Sequence, residues 1–155
     1  MIISPVSEGF KVSQIFWWNY PTYKRFWLKG HNWLDIATPV WTPVFAPFDW
    51  IIDAWNEWND WYGKYIKITE LYEWEKRQMT LWHLSKYNVI PWQKIKAWEY
   101  IWETGNTGFS TWAHLHITFK RLNADWSIKN INNWYKWSEN IFDQWWLLQH
   151  LKSKY

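Results

Sequence analysis

Two short stretches concentrate the side chains able to do chemistry. Gly30-His31-Asn32-Trp33-Leu34-Asp35 offers an imidazole and a carboxylate four residues apart, and Thr111-Trp112-Ala113-His114-Leu115-His116 offers two imidazoles two residues apart. In a strand, His114 and His116 would project from one face about 6.5–7 Å apart, at ~3.3 Å per residue. Both can then border one cleft without both binding an ion. A catalytic zinc takes three protein ligands and keeps a fourth position for water. His31, Asp35 and His116 form such a set, and the pKa of the bound water would fall toward ~7. His114 is left as a general base or acid, and His83 would stabilise or protonate across the cleft if its strand lies beside that of His116. A lone His-x-His is more often incidental than catalytic, and His-x-x-x-Asp is a weaker signal still. Four of the chain's five histidines falling in these three segments is the stronger observation. The fifth, His150, is expected on the surface without a role.

Composition removes several other chemistries. The chain has no cysteine, which excludes a disulfide scaffold, thiolate metal sites and a thiol nucleophile. Lys and Arg are scattered among acids with a net charge of +3, without the basic stripe of a nucleic-acid binder, so no nucleic acid partner is expected. No segment approaches the length of a membrane span, and Met1–Val6 lacks the basic start and apolar run of a signal peptide, so no export route is legible. Gly105-Asn106-Thr107-Gly108 resembles a phosphate cradle only superficially, because it lacks the lysine and precedes a strand pattern. No Ser-His-Asp spacing stands out.

The elements that must position these residues read as short strands. Val12–Phe16 and Leu34–Ala37 are strand patterns, the second ended by Pro39, with a loop at Asn19–Thr22 between them. Thr42–Pro47 carries two prolines and is expected to be extended at an edge. Asp49-Trp50 is expected as a turn, Ile51–Ala54 as a strand, and Asn56–Gly63 as a hairpin loop. Lys64–Leu71 alternates, with Ile66, Ile68 and Glu70 on one face. Gln78–Ser85 alternates too, which places Met79, Leu81 and His83 on a shared face. Glu103–Ser110 reads as a loop, Ala113–Lys120 as the last clear strand, and Ser138-Glu139-Asn140 as the cap of a short helix through Leu151. Frequent turns and little helical periodicity predict a mainly β, compact antiparallel sheet with the zinc groove on it. One domain is expected over residues 1–155, with its core over about 12–120 and an extension over 121–155.

Twenty tryptophans stand against five glycines. At about 150–250 Å² each, that is roughly 3,000–5,000 Å² of indole, and it follows neither a period of two nor 3.6. Trp33 and Trp134 follow Asn, Trp50, Trp61 and Trp126 follow Asp, and Trp92 follows Pro. With glycine in their place these become the strongest turn dipeptides. Some bacterial genetic codes read UGA as glycine and others read it as tryptophan, and a UGA read by the wrong table gives this pattern. UGG codons at Trp33, Trp50, Trp112 and Trp126 would sink that reading in favour of a genuinely indole-rich carbohydrate or membrane-interface module.

The same segments resemble the lysostaphin/LytM-type zinc metallopeptidases from about Val12 to Phe119. Gly30–Ala37 resembles that family's Gly-His-x-Gly-x-Asp-x-Ala, and Trp41–Pro47 its Gly-Thr-Pro-Val-x-Ala-Pro. Leu81–Ser85 resembles its His-Leu-Ser element, and Gly105–His116 its Gly-x-Thr-Gly-x-Ser-x-Gly-x-His-Leu-His. The family has glycine where this chain has Trp33, Trp41, Trp50 and Trp112, and an indole at 112 would be expected to displace the ligand strand. The resemblance implies zinc held by His31, Asp35 and His116, with His83 and His114 as the catalytic pair. It implies an endopeptidase acting, as a monomer, on peptides of bacterial peptidoglycan stems or cross-bridges, in the cell wall, outside the cell or in the periplasm. The rival within the family is an inactive domain that binds peptidoglycan or activates another hydrolase.

Overall fold

The computed structural model describes residues 4–7, 9–16, 21–56, 63–72, 74–129 and 138–139. Among these, nine strands follow one another: β1 (Lys11–Gln14), β2 (Leu34–Ala37), β3 (Pro43–Phe45), β4 (Trp50–Asn56), β5 (Lys64–Tyr72), β6 (Glu75–Tyr87), β7 (Lys94–Ile95), β8 (Tyr100–Thr104) and β9 (His114–Leu122). They form one sheet in the order β1-β2-β9-β6-β5-β4-β7, with β8 paired to β6 and to β3. Each of these pairings is antiparallel, as the strand patterns predict.

The alternation that names the strands also builds the core. Ile66 and Ile68 of β5, Met79 and Leu81 of β6, and Leu115, Ile117 and Phe119 of β9 are buried in one apolar cluster with Leu34, Ile36, Val44, Ile52 and Trp102. Burying each such side chain contributes about 1.5–3 kcal/mol. On β9 the residues between them, His114, His116 and Thr118, take the opposite face and are buried there too.

Strand β6 breaks its own alternation at one point, and this overturns the expectation that Met79, Leu81 and His83 share a face. Leu81 lies opposite Ile117 and Trp82 opposite His116, so Leu81 faces the core and Trp82 the histidine side. Leu84 is again in the core, an odd number of residues after Leu81. The extra residue is absorbed at His83, whose φ of 61° is left-handed, beside an irregularity in the β5–β6 register between Lys64 and Ile66. Such a bulge re-aims one side chain. It puts His83 on the His116 face, away from Met79 and Leu81.

Three local expectations also change. Pro21 opens a 3-10 helix, Pro21–Phe26, where a loop was expected; its fixed φ suits the first turn. Trp50 starts β4 opposite Ile95, so Asp49-Trp50 is not the turn. Glu103 and Thr104 belong to β8, opposite Pro43 and Leu84. The hairpin loop expected at 56–63 and the helix expected from Ser138 to Leu151 lie almost wholly outside the described residues.

Among the described residues, seven that are not glycine have left-handed φ, and six of these are tryptophan: Trp27, Trp41, Trp74, Trp92, Trp98 and Trp126. All six are 51–95% exposed. The turn dipeptides had pointed to Trp92 and Trp126, and the family motif to Trp41. Trp33, Trp50 and Trp112 have ordinary φ. The indole of Trp112 does not displace the strand after it: it is 46% exposed, and β9 pairs in register with β2 from His114 to Ile117.

Candidate metal centre

Strands β2, β9 and β6 lie side by side and bring the five predicted residues together. The β2–β9 register sets Asp35 directly opposite His116. Directly opposite residues in an antiparallel pair share a face, so the carboxylate and the imidazole meet. His116 Nδ1 lies 2.9 Å from Asp35 Oδ1, and His31, just before β2, puts Nε2 3.2 Å from Asp35 Oδ2. His114 Nε2 is 3.8 Å from Asp35 Oδ1. The His83 ring centroid is 4.9 Å from that of His114 and 5.2 Å from that of His116. All five side chains are buried. His150 lies outside the described residues.

Backbone carbonyls orient three of the rings. His31 Nδ1 is 3.2 Å from Ile15 O, His83 Nδ1 is 2.7 Å from Thr107 O, and His114 Nδ1 is 2.8 Å from Trp112 O. A carbonyl only accepts, so each Nδ1 carries the proton and each Nε2 is aimed into the cluster. His116 turns the other way and offers Nδ1. These orienting groups, and the Ser110 hydroxyl 3.3 Å from His114 Nδ1, were not predicted. Thr107, Ser110 and Trp112 all stand at specified positions of the Gly105–His116 motif, but nothing there signals which ring each one orients.

The electrostatics separate the roles. Burial, then the nearby His83 and His114, takes His116 down to about 3 against the opposing pull of Asp35, so its ring is neutral, the state a metal ligand needs. Burial alone would raise the Asp35 carboxyl, but His116 and His31 outweigh it and hold the group well below the usual range. Burial, then His114, pushes His83 below the usual histidine range.

The donor set fits a divalent cation. One ligand atom from each of His31, Asp35 and His116 lies within 4.8 Å of the others, and His83, His114 and His116 form a second group by the same measure. With Nδ1 of His31 committed to Ile15, its Nε2 lone pair faces a carboxylate oxygen at 3.2 Å. That contact asks for positive charge between the two atoms, either a proton or a cation. Only the first group supplies a carboxylate to balance a dication. Three indoles stand over the cluster: Trp33 at 4.0 Å and Trp82 at 6.4 Å from His116, and Trp112 at 5.5 Å from His114, between ring centroids.

An antiparallel sheet carrying a buried His-Asp-His group beside two further carbonyl-oriented histidines has the donors to hold a divalent cation and the imidazoles to move protons beside it. Residues 29–129 match peptidase family M23, and the chain belongs to that family. It is 34% identical over 92 residues to an uncharacterized metalloprotease of Haemophilus influenzae, covering 59% of this chain and 19% of that protein. It is 33% identical over 97 residues to the peptidoglycan DD-endopeptidase ShyA of Vibrio cholerae, covering 63% of this chain and 21% of that protein. The chain thus spans about a fifth of the length of these curated relatives. Its fold is that of the catalytic domain of the antimicrobial peptidase lysostaphin from Staphylococcus simulans, with a TM-score of 0.68, 24% identity, and 92% of each chain covered.

Proposed function

We propose that this chain is a zinc endopeptidase that hydrolyses peptide bonds in bacterial peptidoglycan, acting at the cell wall. The observation that carries the reading is the convergence of His31, Asp35 and His116 within 4.8 Å, with His83 and His114 aimed at the same point by backbone carbonyls. The peptidoglycan substrate is supported by the similarity to ShyA of Vibrio cholerae, a peptidoglycan DD-endopeptidase. No helix among the described residues is long and apolar enough to cross a membrane.

Zinc, when bound by His31, Asp35 and His116, supplies Lewis-acid polarisation of the scissile carbonyl and a lowered pKa for the attacking water. The chain's own groups then handle protons. His83 and His114 carry their protons on Nδ1 and present Nε2 lone pairs, so either accepts a hydrogen bond from the water. As the water oxygen bonds to the carbonyl carbon, its proton passes to Nε2 of His114. Nε2 of His83 accepts a hydrogen bond from the proton that remains on that oxygen, which steadies the tetrahedral adduct. The His114 proton then goes to the departing amine as the C–N bond breaks.

Isolated cell walls incubated with zinc-loaded protein should release soluble peptides with new amino termini. His116→Ala should lose both zinc and release. Zinc binding of full stoichiometry without any new amino terminus would reject the endopeptidase and favour the inactive wall-binding domain.

A further inference from the structure

The loop at 105–108 holds the one left-handed residue of the described chain that is neither glycine nor tryptophan, His83. Thr107 makes three bonds at this point, one of them to the His83 ring. Its carbonyl accepts from His83 Nδ1 at 2.7 Å, its hydroxyl donates to Leu84 O at 2.8 Å, and the same hydroxyl accepts from the Lys64 backbone N–H at 2.9 Å. The loop approaches this closely because two glycines clear its path. A Cβ on Gly105 would sit 2.8 Å from His83 O and 2.7 Å from Ser85 N, and one on Gly63 would overlap the Thr107 carbonyl. The grip falls where β6 leaves β9, last paired at Trp82, and joins β8 from Leu84. Neither partner strand sets the direction of the residue between them.

We propose that Thr107 is a positioning residue for His83: its hydroxyl pins the β6 bulge to β5, and its carbonyl fixes the His83 tautomer with Nε2 toward His114 and His116. This rests on the hydrolytic reading of His83 above. Second-sphere partners of this kind change activity by about 10–100-fold when removed. The test compares Thr107→Val, Thr107→Ser, Gly63→Ala and His83→Ala in the whole chain. It measures kcat and KM with zinc, zinc content, the thermal midpoint, and the His83 tautomer by nitrogen NMR without zinc. Thr107→Val should lower kcat about 10–100-fold with KM and zinc content unchanged and should lose the dominant Nδ1–H tautomer, and Thr107→Ser should restore both. Gly63→Ala, which keeps the Thr107 side chain but whose Cβ would overlap its carbonyl and lie 2.7 Å from its hydroxyl, should reproduce the tautomer loss and decides the matter if Thr107→Val does not fold. Parental kcat and tautomer in Thr107→Val, a rise in KM alone, or a serine variant as poor as valine overturns the role. If His83→Ala loses kcat while Thr107→Val keeps it, the positioning role alone falls. Parental kcat in His83→Ala instead removes the catalytic reading of His83 and the positioning role with it.

A separate observation carries a second inference. Left-handed φ is strained for any residue with a Cβ and costs glycine nothing. Six tryptophans adopt it, in turns, with their indoles largely in solvent. Chance placement of one bulky residue type in six of seven such positions has no physical cause. We infer that positions 27, 41, 74, 92, 98 and 126 hold glycine in the protein made by its own ribosomes, through UGA codons decoded as glycine. Peptide mass spectrometry of the protein from its source cells, read beside the gene, tests this. Glycine masses with UGA codons at the six positions are expected. Tryptophan masses, or UGG codons there, overturn it.

Discussion

Trp74→Gly isolates the backbone term at the six left-handed positions, because its side chain does almost nothing else. Trp74 has φ of 70° and is 95% exposed in the turn between β5 and β6. Its indole therefore contributes little burial to lose. Holding a residue with a Cβ in the left-handed region costs about 1–2 kcal/mol, and the greater freedom of glycine in the unfolded chain takes back about 0.4–1 kcal/mol. The net gain is about 0.5–1 kcal/mol, or roughly 1–4 °C in the thermal midpoint for a chain of this size. Trp74→Ala removes the same indole and keeps the Cβ, so it should stay within about 0.5 kcal/mol of the parent. Across all six positions the gain should reach about 3–6 kcal/mol, if separate turns add. Trp126 should give least, because Lys76 Nζ sits 3.7 Å from its ring centroid and that contact is lost. The assay is thermal or urea unfolding of the two single variants side by side. Equal stabilisation by alanine and glycine would show that the exposed indole, and not φ, is the source of strain. A less stable glycine variant would refute the reasoning outright.

Removing metal with a chelator should lower the thermal midpoint by roughly 5–11 °C relative to protein in zinc at a hundredfold excess over Kd, the equivalent of about 2.7 kcal/mol; a His31→Ala variant should show no chelator effect in the same scan. Gly105→Ala should cost about 1–3 kcal/mol in urea unfolding, since its Cβ would lie 2.7–2.8 Å from the backbone of Ser85 and His83. Glu70 is buried, and burial raises its carboxyl pKa against the pull of Arg77. Its raised pKa favours the fold in the protonated form, so that contribution is complete below the ordinary glutamate range and is lost as pH rises through the folded pKa. Glu70→Gln should therefore raise the midpoint at pH 7 and leave it unchanged in acid; a gain that is equal at both would exclude the titration.

The fold was legible because nearly every strand obeys one rule. Lys64–Leu71 and Ala113–Lys120 alternate in sequence, and the apolar members of that alternation, Ile66 and Ile68 in β5 and Leu115, Ile117 and Phe119 in β9, meet in the core. The three proposed ligands were legible from residue type and motif: His31 and Asp35 stand four apart at the start of β2, and His116 shares a strand face with His114. His83 was found as a residue but placed on the wrong face. Alternation carries no sign of a bulge, and the bonds around the left-handed His83, from its ring to Thr107 and from Lys64 to Thr107, are long-range. The orienting carbonyls of Ile15, Thr107 and Trp112 were invisible because every residue has one. Trp27, Trp74 and Trp98 were missed as turn residues because they follow Phe26, Glu73 and Ala97, which signal no turn.

The place of β9 in the sheet orders events during synthesis. It is the last of the nine strands in sequence, yet it sits between β2 and β6. A nascent chain that has not reached His114 has β2 and β6 with nothing between them, so His31 and Asp35 have no fixed relation to His83. Such a chain also leaves two strand edges open to pairing with other chains. The insertion of β9 closes those edges and, in the same event, delivers His114 and His116. Closure of the described sheet and assembly of the five-residue cluster are therefore one step, and a shorter nascent chain holds no half-made version of the proposed site.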